Sequence, residues 1–183
     1  MKPKGLKNKN GFTIVEIIIT IVILGFGFVG IYGFFHPTSI LTFNFSLHSK
    51  ADYLAQEGFE VVKNIRDNNI ISQIGWSKGL SDCQGGCQLD YKTGTAVETP
   101  ANALQSYTGN PLNINEDGFY SYDNGTPSRF KRKIIITRAF LCQGDPTACH
   151  EIDNALKVDI LIMWDYNGKP FIFETIGYIY DLS

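Results

Sequence analysis

What this chain lacks narrows it before any motif is read. It has no Ser-His-Asp set and no His-x-x-x-His pair in a recognisable frame. The acids available for proton transfer (Glu98, Asp117, Asp145, Glu151, Asp159) are scattered, so an enzyme is not expected. Histidine is scarce: His36 and His48 lie near aromatic residues and read as interfacial rather than as ligands, and His150 beside Cys149 reads as loop. Positive charge is scarce beyond residue 11. Removing Lys2, Lys4, Lys7 and Lys9 from sixteen Lys and Arg leaves twelve against eighteen Asp and Glu, a net of -6. That balance argues against a general nucleic-acid binder, whose footprint is a basic patch. A secretory cleavage site is also missing, because Phe34-Phe35-His36-Pro37 offers no Ala-x-Ala pattern and the apolar run before it is too long for a signal core.

The most informative absence is of charge between Ile17 and Phe35, nineteen residues without Asp, Glu, Lys, Arg or His. As a helix, Ile14 to Phe35 would span about 33 Å, enough for a hydrocarbon core of about 30 Å. The lysines on its amino-terminal side place that end in the cytoplasm and the rest outside, as a single-pass protein of the cytoplasmic membrane. An ordinary anchor explains the lysines and the length. It does not explain Glu16, a lone carboxylate at the mouth of the span, or the Gly11-Phe12 step before it. Groups of this kind are costly in lipid and tend to serve a task, although a glutamate so near the helix start can also snorkel to the headgroups.

The Lys-rich leader, Gly11, Phe12, Thr13, Glu16 and the aliphatic helix together resemble the type IV prepilin signature of pilins and pseudopilins. The resemblance implies that prepilin peptidase cuts between Gly11 and Phe12 and methylates the new amino terminus at Phe12. It also implies that Glu16 is the filament glutamate, facing the amine of a neighbour's Phe12. Pairing two groups that are each expensive in an apolar medium would neutralise both and fix axial register in a heterologous, non-closing helical contact. One departure stands out: Gly25 occupies the family's glycine position, but the proline position holds Gly33. Gly25, Gly27, Gly30 and Gly33 each weaken a helix by roughly 0.5–1 kcal/mol relative to Ala, so a soft stretch is expected there. The same glycines also fit a close helix-packing face.

Beyond the span, His36-Pro37 predicts a kink or short interruption. From Leu47, the residues Leu47, Ala51, Leu54, Ala55, Gly58, Val61, Val62 and Ile65 share one helical face opposite Asp52, Gln56, Glu60, Lys63 and Asp67. This amphipathic helix should lay one stripe on a core and end near Asp67-Asn68-Asn69. Residues 70–128 read as variable loops, with short strands at Gln88–Lys92 and Gly118–Tyr122. Within them, Asn113, Asn115 and Asp117, followed by Gly118, match the opening of a calcium loop. The closing position is Asn124 rather than Glu, so a polar turn is the simpler reading and no cofactor is expected.

Residues 129–183 read as sheet. Phe130–Phe140, Leu156–Trp164 and Phe171–Ile179 are rich in β-branched and aromatic residues, and Asn167-Gly168 marks a hairpin between the last two. Phe130, Ile134, Ile136 and Phe140 are placed toward the core. Arg129, Lys131, Arg132 and Lys133 read as a solvated face with gatekeeper charges on an edge rather than as a DNA contact. Cys83-x3-Cys87 and Cys142-x6-Cys149, in an exported region, read as two disulfides. Local pairing is preferred because short loops close readily; a link between the two loops stays open. Zinc fits these spacings poorly.

The whole predicts an α+β, pilin-like protein with four parts: a cleavable leader (1–11), a membrane and assembly helix (12–35), a kink and amphipathic helix (36–69), and an extracytoplasmic head (70–183) on a carboxy-terminal antiparallel sheet. The resemblance implies a structural subunit of a type IV pilus or related filament, extracellular or periplasmic once assembled. Its partners would be other pilin subunits, prepilin peptidase, the inner-membrane assembly platform and, before assembly, lipid. The alternatives are a secretion pseudopilin, or a membrane-anchored module binding DNA or glycan.

Overall fold

The computed structural model describes residues 11–81, 83–94, 104–142 and 149–182, with backbone only at positions 36 and 37. The leader lysines, Glu98, Pro100 and Asp145 lie outside the described residues, as does the side chain of His36.

The first element, α1, runs from Ile14 to Ile71. It begins at Thr13, whose hydroxyl accepts a hydrogen bond from the Glu16 N–H at 3.2 Å. Thr-x-x-Glu is the spacing of a capping box, and an acid in the first turn complements the positive end of the helix dipole. The interruption expected at His36-Pro37 does not occur, since α1 is unbroken across these positions. Proline at position 37 withdraws only the donor due to the Gly33 carbonyl and leaves the ladder on either side intact. Just beyond it Thr38 donates its hydroxyl to the Phe34 carbonyl at 2.7 Å and Ser39 to the Phe35 carbonyl at 3.0 Å.

Contacts divide the chain into Met1–Ser46 and Leu47–Ser183. In the first unit every large apolar side chain described from Phe12 to Phe35 is exposed. A Cβ added at Gly25, Gly27, Gly30 or Gly33 would meet nothing within 4 Å, so packing inside the chain does not require these glycines.

In the second unit α1 buries Leu47, Ala51, Leu54, Ala55, Gly58, Val62 and Ile65, the predicted stripe, with Val61 at its margin. The helix extends slightly past its expected end. Asn69 is buried there, and its amide donates to the carbonyls of Trp76 (3.0 Å) and Lys78 (2.9 Å), turning the chain back beneath the helix.

The strands are β1 (Cys87–Gln88), β2 (Gln105–Ser106), β3 (Asn113–Ile114), β4 (Tyr120–Ser121), β5 (Thr126–Pro127), β6 (Lys131–Cys142), β7 (Cys149–Tyr166) and β8 (Lys169–Tyr180). Among the described residues they form a five-stranded sheet, β2-β1-β6-β7-β8, and a three-stranded one, β4-β3-β5, with every pairing antiparallel. The β7–β8 hairpin pairs Tyr166 with Lys169 across Asn167-Gly168, both at positive φ (53° and 72°), as a type I′ turn demands. The inner sheet face packs Ile134, Ile136, Val158, Ile160, Ile162, Trp164 and Ile179 against the helical stripe. Helix and sheet meet closely at Gly177, where an added Cβ would sit 2.3 Å from the Phe59 ring.

Three expectations for the sheet are corrected. The strands expected at Gln88–Lys92 and Gly118–Tyr122 shrink to Cys87–Gln88 and Tyr120–Ser121. After Gln88 the Asp90 carboxylate accepts the Lys92 N–H (3.0 Å) and the Tyr122 N–H (3.2 Å), which bends the chain into a turn. Phe140 is exposed, because register slips between Arg138 and Phe140, where Ala139 opposes four residues of β7, and the alternation reverses. The basic cluster does not form a solvated edge: β6 lies between β1 and β7, and Arg132 is fully buried.

Candidate functional site

The residues singled out at the amino terminus lie together on one turn. Phe12 is exposed ahead of the helix, Thr13 caps it, and Glu16 stands in the first turn, also exposed and without an ion-pair partner among the described residues. Thr20 returns its hydroxyl to the Glu16 carbonyl at 2.7 Å, so the threonine of the apolar stretch is satisfied within the helix. Thr13 as the cap is a role beyond those expected for this stretch, although Thr-x-x-Glu before an apolar run announces it.

In the head, the unforeseen residue is Arg132. Its guanidinium donates to the carbonyls of Leu54 on α1 (2.9 Å) and Leu89 (2.7 Å), and lies 3.5 Å from the Glu57 carboxylate. Its own carbonyl accepts the Tyr122 hydroxyl at 3.1 Å. Burial pushes the Tyr122 phenol up to about 12, against a lowering influence of Arg132. One arginine thus ties helix, loop and small sheet together. The sequence signal for this was faint: position 132 shares the inward parity of Phe130, Ile134 and Ile136.

The calcium-loop candidates serve the turn itself. Asn113 donates to the Asp123 carbonyl (2.6 Å), while the Asn115 side-chain oxygen accepts the Phe119 N–H (2.9 Å) and Gly118 adopts φ +86°. Asp117 is exposed at its tip. Nearby, Lys92 pairs with Asp123, a hydrogen bond that raises the lysine pKa. No group of three or more His, Cys, Asp or Glu gathers to hold a metal among the described residues.

Cys83 is joined to Cys87 and Cys142 to Cys149. The scattered acids have separate engagements: Glu151 pairs with Arg138 at 2.8 Å, and Asp159 with Lys157 at 2.9 Å, raising the pKa of that lysine. His150 lies in β7 opposite Leu141, and His48 sits edge-on to Trp164 with ring centroids 5.1 Å apart.

A helix long and apolar enough to cross a membrane, together with an α+β head on an antiparallel sheet, defines the general class. Residues 6–32 match the family model described as the prokaryotic N-terminal methylation motif. No curated protein and no solved structure matches the chain. The chain therefore carries the signature of type IV prepilin-like proteins. That motif implies processing by a prepilin peptidase and assembly with other pilin-like subunits, and the apolar helix fits membrane anchoring.

Proposed function

We propose that the protein is a structural subunit of a type IV pilus or related filament, with α1 as its assembly element. The observation that carries this reading is the coincidence of the methylation motif at residues 6–32 with an apolar surface that finds no cover within the first unit. Before assembly that surface is solvated by lipid; in a filament, neighbouring helices take the place of lipid. Prepilin peptidase cuts between Gly11 and Phe12 and methylates Phe12. The Glu16 carboxylate then faces the new amine of a neighbour, and the two charges neutralise each other in an apolar surrounding. Gly25, Gly27, Gly30 and Gly33 support the same reading, since nothing within the chain occupies the space beside them. They leave room for close helix approach between subunits.

Mass spectrometry of the mature protein is expected to find N-methyl-Phe12 at the amino terminus. A terminus at Met1, or cleavage elsewhere, would refute the reading. Glu16→Ala should insert in the membrane normally yet fail to enter filaments. Unchanged incorporation would remove the role given to the carboxylate.

A further inference from the structure

A groove of about 520 Å³ opens on the head between the loop after α1 and the irregular part of the β6–β7 pair. That volume is typical of small-molecule sites, and nothing in the filament reading uses it. On one side lie Trp76, packed partly on the core, and Gln84; on the other lie Arg138, Glu151, Asp153 and Asn154.

Both walls are held in place by covalent and hydrogen-bonded ties. Gln84 sits within the loop closed by Cys83–Cys87, and that loop is tied to β6 by the Ile136 N–H donating to the Cys83 carbonyl at 3.3 Å. The Cys142–Cys149 disulfide joins the ends of β6 and β7 two residues before Glu151. Four residues of β7, Ile152–Ala155, stand opposite Ala139 alone, and Asn154 at their apex adopts φ 63°. The Asp181 N–H donates to the Asn154 carbonyl at 3.0 Å and holds this conformation. Bulges of this kind commonly re-aim side chains beside binding sites, and asparagine is among the few non-glycine residues that adopt the left-handed conformation readily.

The chemistry of the lining points to one ligand class. Arg138 is already neutralised, with one guanidinium nitrogen 2.8 and 3.1 Å from the two oxygens of Glu151. Asp153 is left as the remaining charge of the groove, which disfavours an anion. The planar amides of Gln84 and Asn154 each offer donor and acceptor together, and a carboxylate accepts from two neighbouring hydroxyls. An indole beside such groups supplies a flat apolar surface with a polar rim. Alternating hydroxyls around an apolar ring face are the complement of this set. We propose that the groove binds a neutral saccharide, with one pyranose ring stacked on Trp76 and its hydroxyls bridging Asp153 and Asn154.

The test uses the full chain in detergent micelles and an array of neutral, sialylated and sulfated oligosaccharides. The proposal expects saturable binding of at least one neutral oligosaccharide at millimolar concentration or below. It expects the same ligand to perturb the fluorescence of Trp76, with the change absent in Trp76→Phe, which retains Trp164 as sole reporter. Asp153→Ala, an exposed position, should weaken binding at least tenfold without moving the urea midpoint. Binding of only sialylated or sulfated glycans, no binding to any neutral member, or unchanged affinity in Asp153→Ala would each overturn the proposal.

Discussion

Replacing Arg132 by methionine tests how the head is held together. The side chain is fully buried, and its two short bonds reach backbone carbonyls on different elements. The Leu54 carbonyl keeps its partner within α1, so the substitution chiefly strips Leu89. A buried carbonyl left bare costs about 1–3 kcal/mol. Glu57 is 32% exposed and its contact with Arg132 is long at 3.5 Å, so losing the ion pair adds no more than about 1 kcal/mol. Methionine refills much of the volume and spares the desolvation of a charge, which offsets part of the loss. The net expectation is about 2–3 kcal/mol, or roughly 8 °C in Tm for a unit the size of Leu47–Ser183. Urea unfolding of the detergent-solubilised chain, followed by tryptophan fluorescence, measures this. Glu57→Gln in the same assay should cost less than about 1 kcal/mol. The reasoning fails if Arg132→Met shifts stability by less than about 0.5 kcal/mol, or if Glu57→Gln is equally damaging, since the ion pair and not the carbonyl contacts would then dominate.

Two further outcomes follow from the head. The Tyr122 phenol is raised to about 12 by burial, above an unfolded value near 10. Below about pH 10 both states keep the proton and the contribution is complete; at higher pH the unfolded chain ionises first, and stability falls by roughly 1.4 kcal/mol by pH 11. Urea midpoints measured from pH 8 to pH 11 should fall less in Tyr122→Phe than in the parent, and parallel curves would contradict this. Replacing both Cys142 and Cys149 by serine opens a loop with a sequence separation of 7, and should cost roughly 2.5 kcal/mol by loop-closure entropy. An unchanged urea midpoint would mean that the β6–β7 pairing alone holds those ends.

The sequence alone determined the features that follow from local chemistry. The charge-free run with its lysine flank and Glu16, the stripe from Leu47 to Ile65 and the Asn-Gly hairpin are written in short-range periodicity, and folding does not alter them. What only the tertiary structure decided depends on which surfaces meet. Arg132 became a buried brace because β6 is an interior strand beneath α1, and strand order is not encoded in the strand itself. Phe140 turned outward because the pairing with its partner strand slips register beside it, and a period-two pattern cannot foresee extra residues on the neighbouring strand. Helix continuity through position 37 likewise could not be read from the proline itself, which costs one backbone donor and leaves the turns on either side free to continue as one helix.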